Sequence, residues 1–283
     1  MEWLKNLSDA IAYVEQNLAD EISYERAAEI ACCSTTYFQR MFSYVAGISL
    51  SDYIRRRRMT QAAFDLQHTE MKVIEIALKY GYTSPTAFNR AFQAVHGISP
   101  TAARSQGSLL NAYPPIKFSV TITGGSAMPY RIEEKGPMRA VGIRMPLTDS
   151  MEENQKKVPA FWKKILRDEK FQEICQLTNQ VPGGVLGITE YQNTGEMYYY
   201  IAAATDRLAP ADMHELEIPA ATWAVFENEG YFKESVQSVF RRFLTEWLPF
   251  SGYTYTELPD IEVYPVNEKK SGHTEVWIAI KKE

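Results

Sequence analysis

CSTTYFQRMFSYVAGISLSDYIRRRRM, residues 33–59, decides the fold, because its pattern returns 50 positions later within IALKYGYTSPTAFNRAFQAVHGISPTAAR, residues 76–104. Ala27 matches Ala77, Ser34 matches Ser84, Phe38 matches Phe88, Arg40 matches Arg90 and Phe42 matches Phe92. The run Gly47-Ile48-Ser49 returns as Gly97-Ile98-Ser99. One constant offset through all of these points to a duplicated supersecondary unit. Each copy reads as a helix, a tight turn, a second helix and a glycine stop.

Helical phase then sorts the residues. Phe38, Phe42 and Val45 fall on one stripe, as do Phe88, Phe92 and Val95, and each stripe is expected to face a core. Ser34 and Ser84 stand where N-caps belong. The opposite faces carry Thr36, Gln39, Arg40 and Ser43 in the first copy and Thr86, Asn89, Arg90 and Gln93 in the second. Arginine suits guanine edges and Asn or Gln suits adenine, so these faces fit base reading in a major groove. Two solvated helical hairpins are the plainer alternative, and the shared register of both copies argues against it.

On these residues the chain resembles the paired helix-turn-helix domain of AraC/XylS-type transcription regulators. The resemblance covers residues 6 to about 105. It rests on the F-x-R-x-F core, the G-I-S turn, Y-I-R-R-R-R-M on the connecting helix and the closing G-I-S-P. It implies that double-stranded DNA is a partner. The expected DNA-binding residues are Thr35, Thr36, Gln39, Arg40, Thr86, Asn89 and Arg90, with Arg57 on phosphate. Pro85 departs from the polar residue common at that point. It suits a first helical turn and removes one base contact.

The 283 residues predict about two domains, and a hydrophobic fraction of 45% argues against disorder. The net charge of −5 does not advertise nucleic acid. Its distribution says more: between residues 30 and 64 five arginines face Asp52 as the sole acid. Four of them, Arg55 to Arg58, are consecutive. On a helix they point about 100 degrees apart, so one or two are expected on phosphate and the rest solvated or paired. The acidic, amphipathic first 18 residues predict no secretory leader, and no apolar run reaches the roughly 18 residues of a membrane helix. Cys32, Cys33 and Cys175 suggest no disulfide framework, and a cytoplasmic location is expected. The four histidines are scattered, so neither a metal site nor a cofactor is expected.

The expected division is 1–106 for DNA binding, 107–124 as a linker and 125–283 as a second domain. The linker reading comes from the Gly and Ser at both ends of residues 105–127 and the Pro-Pro between them. Beyond it, residues 129–147 read as strand and 152–170 as one helix. Residues 185–191 and 196–205 read as two strands across a turn at 193–195. Residues 214–230 read as strand, 232–248 as helix, and 260–266 and 274–282 as strands. That is β-α-β-β twice, an α+β domain with an antiparallel sheet and two helices on one face. With the all-α double helix-turn-helix before it, this completes the expected fold class.

This half resembles the GyrI-like, or effector-binding, domain of multidrug-responsive regulators, including the Rob-like branch of the AraC family. The supporting stretches are IPAATWAVFENEG, FLTEWLPFSGY, ELPDIEVYP and TEVWIAIKK. The resemblance implies a small-molecule effector, bulky and cationic or aromatic, held in a cleft between helices and sheet. Aromatic faces and one buried acid suit such a cation. In DIEVYP, alternation puts Ile261 and Val263 on one face and Glu262 and Tyr264 on the other. Glu262 is the first candidate for the acid, Glu275 the second and Glu227 the third. Candidate walls are Phe161, Trp162, Tyr191, Tyr199, Trp223, Tyr264 and Trp277. The chain thus reads as a ligand-responsive, non-enzymatic transcription regulator, with RNA polymerase as a further candidate partner. The alternatives are a small-molecule hydrolase or a protein-binding module in the second half.

Overall fold

The computed structural model describes residues 2–105, 107–118, 127–148, 151–191, 196–229, 233–256, 258–264 and 273–282. It divides into two compact units, 1–122 and 123–283.

The first unit is helical: α1 (Glu2–Gln16), α2 (Tyr24–Ile30), α3 (Thr35–Ala46), α4 (Leu50–His68), α5 (Val73–Lys79), α6 (Pro85–His96) and α7 (Pro100–Ala103). The G-I-S repeat has a physical cause. Gly47 and Gly97 close α3 and α6 at φ of 73° and 77°, the left-handed region that favours glycine. Two residues later, Ser49 and Ser99 cap α4 and α7 by accepting the backbone N–H of Asp52 and Ala102. Ser34 and Ser84 do the same for Tyr37 and Ala87 at the head of α3 and α6. Pro85 occupies the first turn of α6.

Phe38, Phe42, Phe88 and Phe92 are fully buried. Each contributes about 1.5–3 kcal/mol by leaving water. The second pair packs on Met59, Ala62, Ala63 and Leu66 of α4 and on Ile76 and Ala77 of α5.

The stretch expected to be a linker behaves otherwise over its described part, 107–118. Leu110 and Tyr113 pack against the second core. Asn111 donates through Nδ2 to the Val95 carbonyl at 2.7 Å and through its backbone N–H to His96 Nδ1. The Tyr113 N–H donates to Thr60 Oγ1, and that of Ile116 to Tyr53 Oη. This segment is therefore a strap bound along α4 and α6. His96 is buried and neutral in this role, its pKa lowered by burial, with Nε2 on the Met59 carbonyl. Residues 119–124 of the expected linker lie outside the described residues.

The second unit runs β1 (Tyr130–Lys135), β2 (Met138–Pro146), α8 (Met151–Ile165), α9 (Glu169–Leu177), β3 (Val185–Tyr191), β4 (Met197–Ala204), β5 (His214–Ile218), β6 (Ala221–Glu229), α10 (Lys233–Arg242), β7 (Tyr253–Tyr255), β8 (Asp260–Tyr264) and β9 (His273–Lys282). The sheet is antiparallel, in the order β1-β6-β9-β8-β3-β4-β2-β5, with β7 on β9. Exchanging the first half (β1 to β4) with the second (β5, β6, β8, β9) leaves this order unchanged. The duplication is therefore real, but its unit is β-β-α-β-β rather than the expected β-α-β-β, and β3 and β8 meet at its centre. The middle pair of their five-residue register is Gly187 opposite Glu262.

Several boundaries differ from expectation. Residues 129–147 form two strands broken at Gly136-Pro137, and 214–229 form two broken at Pro219-Ala220, since proline cannot donate to a ladder. The helix expected over 152–170 stops at Ile165, and Asp168 caps a new one by accepting the Lys170 N–H. After α10 the backbone widens into a π turn at Phe243–Trp247 and then tightens into a 3-10 turn at Leu248–Phe250. The turn at 193–195 and residues 230, 232, 265 and 266 lie outside the described residues.

The two faces of the sheet differ. On the face bearing the helices, α8 and α9 cover Val141, Val185, Tyr199, Ile201 and Ala203. Phe226 on that face meets the rings of Phe243 and Trp247. The helix-free face buries Leu186, Ile188, Trp223, Val225, Ile261, Val263 and Trp277 in one cluster with Met138, Leu216 and Ile218 from the far strands. The sheet therefore curves round its own second core.

Candidate nucleic-acid interface and ligand site

On α6, Thr86, Asn89, Arg90 and Gln93 are all exposed, while Phe88, Phe92 and Val95 are buried beneath them. On α3, Thr35, Thr36 and Gln39 are half-buried, and Arg40 is buried at 8% exposure. The expectation that both arginines point outward thus holds for Arg90 alone. The two copies differ three residues earlier, on the neighbouring turn of the same face. There α3 has the bulky Tyr37, whose phenol feels the Arg40 charge, and α6 has the small Ala87.

Arg57 also departs from expectation. It is 5% exposed and lies within the unit rather than on phosphate. Its Nε donates to both Glu15 carboxylate oxygens (2.9 and 3.1 Å), its second terminal nitrogen donates to Oε2 at 2.7 Å, and its first reaches the Tyr113 carbonyl at 2.5 Å. Tyr53 donates to the same glutamate at 2.7 Å. This network ties α1, α4 and the strap together. Arg58 donates to the Leu18 and Asp20 carbonyls, Arg56 lies over the Tyr113 ring, and Arg55 pairs with Asp52 at 2.7 Å with its side chain 48% exposed. Of the four arginines, Arg55 is the most open to a phosphate.

In the second unit the structure gathers Trp162, Tyr199, Glu262 and Tyr264 on the helix-bearing face. Tyr199 and Tyr264 both donate to Glu262 Oε2, at 2.9 and 2.8 Å. Trp162, on α8, donates its indole N–H to Tyr199 Oη at 2.9 Å. Its ring stands edge-on to Tyr264 with centroids 5.0 Å apart. Burial, reinforced by the Glu262 carboxylate, pushes both phenols well above their ordinary range, so they remain protonated donors. Glu262 is half-buried. Phe161 packs beside Trp162 against the same core, and Tyr191 lies on the same face of β3 as Gly187.

Four of the expected site residues go elsewhere. Glu262 pairs with Val276, so its neighbours Glu275 and Trp277 point to the opposite face. Glu275 accepts from Trp277 Nε1 at 2.8 Å and pairs with Arg131 at 2.8 Å. Trp223 and Trp277 are fully buried together in the helix-free core, 6.0 Å between ring centroids. Glu227 is exposed, 3.7 Å from Arg131.

Two residues were missed. Asp260 lies on the Glu262 face of β8 and is 2% exposed. Burial first, then the Glu262 charge, raise it well above the usual carboxylate range, toward its neutral form. The alternation of Asp260, Glu262 and Tyr264 already carried that signal. Gly187 is the other. A Cβ there would collide with the Tyr199 hydroxyl and lie 2.8 Å from Glu262 Oε2. Among the described residues there is no metal-binding group of three or more His, Cys, Asp or Glu, and no helix is long and apolar enough to cross a membrane.

Comparison with known proteins matches residues 27–106 to a helix-turn-helix domain family and residues 128–281 to the GyrI-like small molecule binding domain. The HTH-type transcriptional activator AarP of Providencia stuartii is 39% identical over 98 residues, 35% of this chain and 73% of that protein. The right origin-binding protein of Escherichia coli is 24% identical over 280 residues, 94% of this chain and 92% of that protein. Among solved structures, SAV2435 bound to tetraphenylphosphonium is 22% identical, with a TM-score of 0.49, over 54% of this chain and 94% of that one.

Proposed function

Because the chain belongs to the AraC family of DNA-binding transcription regulators and carries a GyrI-like small-molecule-binding domain, we propose that it senses a bulky aromatic cation through Glu262 and reads its operator chiefly with α6. One observation carries the ligand reading: a half-buried carboxylate held by two phenols, with the Trp162 ring standing over one of them. Hydrogen bonds to the charged form favour it, and aromatic rings around a fixed negative charge suit a delocalised cation. Phe161 and Tyr191 extend the aromatic supply on the same side.

The test uses two molecules of similar shape, methyltriphenylphosphonium and neutral triphenylphosphine oxide. Calorimetric titration of the full chain is expected to favour the cation. Glu262→Gln keeps the shape and removes the charge. It is expected to weaken the cation by about 1–3 kcal/mol and to leave the neutral molecule nearly unchanged. Equal losses for both ligands would make Glu262 structural.

For DNA, Thr86, Asn89 and Arg90 present the fuller face, supported by Thr35, Thr36 and Gln39 on α3 and by Arg55 on phosphate. Selection of bound sequences from a random duplex pool tests this. Arg90→Ala is expected to relax one base position and to cost about 1–3 kcal/mol on the wild-type sequence. An unchanged selected motif would remove Arg90 from base reading.

A further inference from the structure

The Tyr199–Glu262 hydrogen bond has an unusual path. Tyr199 belongs to β4 and Glu262 to β8, and these strands are not neighbours: both flank β3. The phenol must therefore cross over β3 to reach the carboxylate. It crosses where Gly187 stands, in cross-strand register with Ile201 on one side and Glu262 on the other. The adjacent Leu186 and Ile188 point into the helix-free core, so position 187 is the one whose side chain would enter the crossing. A single methyl group there is already too much, since it would meet the Tyr199 hydroxyl and Glu262 Oε2 together.

We propose that Gly187 determines the ligand specificity of this site. The bare position lets Tyr199 bridge two strands and fix the carboxylate, and this bridged carboxylate, rather than Glu262 alone, selects cations over neutral molecules of the same shape. The inference rests on the reading of Glu262 as the ligand's counter-charge. The bridge keeps one oxygen of a half-buried acid supplied with a second donor, which favours its charged form. It also extends to α8, because Tyr199 Oη accepts from Trp162. A side chain at 187 breaks the bridge at both ends.

Gly187→Ala in the full chain is expected to lose about 10- to 100-fold in affinity for methyltriphenylphosphonium, with triphenylphosphine oxide staying within about threefold. The Trp162 indole N–H resonance, assigned with Trp162→Phe, should shift as its acceptor moves. Tyr199→Phe alone should reduce cation preference in the same way. Gly187→Ala/Tyr199→Phe removes the closer of the two collisions, so it should recover part of any lost thermal stability without recovering cation preference. A wild-type protein with no preference for the cation defeats the Glu262 reading itself. A wild-type preference that survives Gly187→Ala, or an indole resonance that does not move, overturns this proposal alone. A Tyr199→Phe variant that keeps full preference also overturns it, leaving Gly187 as a packing residue.

Discussion

Arg57→Ala is expected to lower the stability of the DNA-binding unit by about 3–5 kcal/mol, since removing one partner of a buried ion pair leaves the other charge uncompensated. Glu15, with its side chain 18% exposed, would keep the Tyr53 hydroxyl and lose three guanidinium contacts. The strap would also lose the donor to its Tyr113 carbonyl. Urea unfolding followed separately for the two units measures the loss. DNA binding gives the decisive contrast. A phosphate contact at Arg57 predicts unchanged stability and a salt slope shallower by about one. The buried pair predicts the reverse: an early unfolding midpoint, and an unaltered slope at temperatures where the variant is still folded. Arg57→Lys should recover only part of the stability, because an ammonium cannot repeat the planar contact to both carboxylate oxygens.

That contrast marks where sequence reading stops. The caps were legible because capping is local: Ser34, Ser49, Ser84 and Ser99 act on N–H groups three residues away. The aromatic stripes were legible because helical phase alone buries Phe38 and Phe42 or Phe88 and Phe92. The fate of Arg57 was not: phase turns it away from the Met59, Ala62, Ala63 and Leu66 stripe, but α4 is buried on that side too, by a partner, Glu15, 42 residues earlier. Arg40 is intermediate. Helical phase puts it on the polar face with Thr36 and Gln39, yet it is 8% exposed, and Tyr37 one turn back, where α6 has Ala87, is the difference visible in the sequence.

The sheet repeats the lesson with period two. Alternation within β8 separates Glu262 and Tyr264 from Ile261 and Val263, and this needs no structure. Whether Glu275 shares the face of Glu262 depends on register between strands. A shift of one residue reverses the answer, and the observed pairing of Glu262 with Val276 sends Glu275 and Trp277 away. Gly187 was invisible for the same reason. Within VLGITEY it is one glycine in an apolar run, and its meaning appears only once Tyr199 and Glu262 stand on either side of it.

Trp223→Ala should separate the two faces most sharply. Trp223 is fully buried in the helix-free core against Trp277, with Val225 and Ala279 in the same cluster. Truncating a buried tryptophan removes its transfer energy and leaves a cavity that the rigid sheet cannot fill, a cost of about 3–5 kcal/mol. At about 2–4 °C for each kcal/mol in a unit of this size, the calorimetric midpoint of the second unit should fall by roughly 6–20 °C. The protein that remains folded should still prefer the phosphonium to the phosphine oxide, because Glu262 and its phenols lie on the other side of the sheet. Trp223→Phe gives a graded check. The indole N–H of Trp223 is buried with no acceptor among the described residues. Phenylalanine therefore removes an unsatisfied donor, worth about 1–3 kcal/mol, against a modest loss of volume, and should lie much nearer wild type than alanine does. Loss of cation preference in Trp223→Ala with the midpoint unmoved would place the ligand in the helix-free core, against the assignment to the Glu262 face.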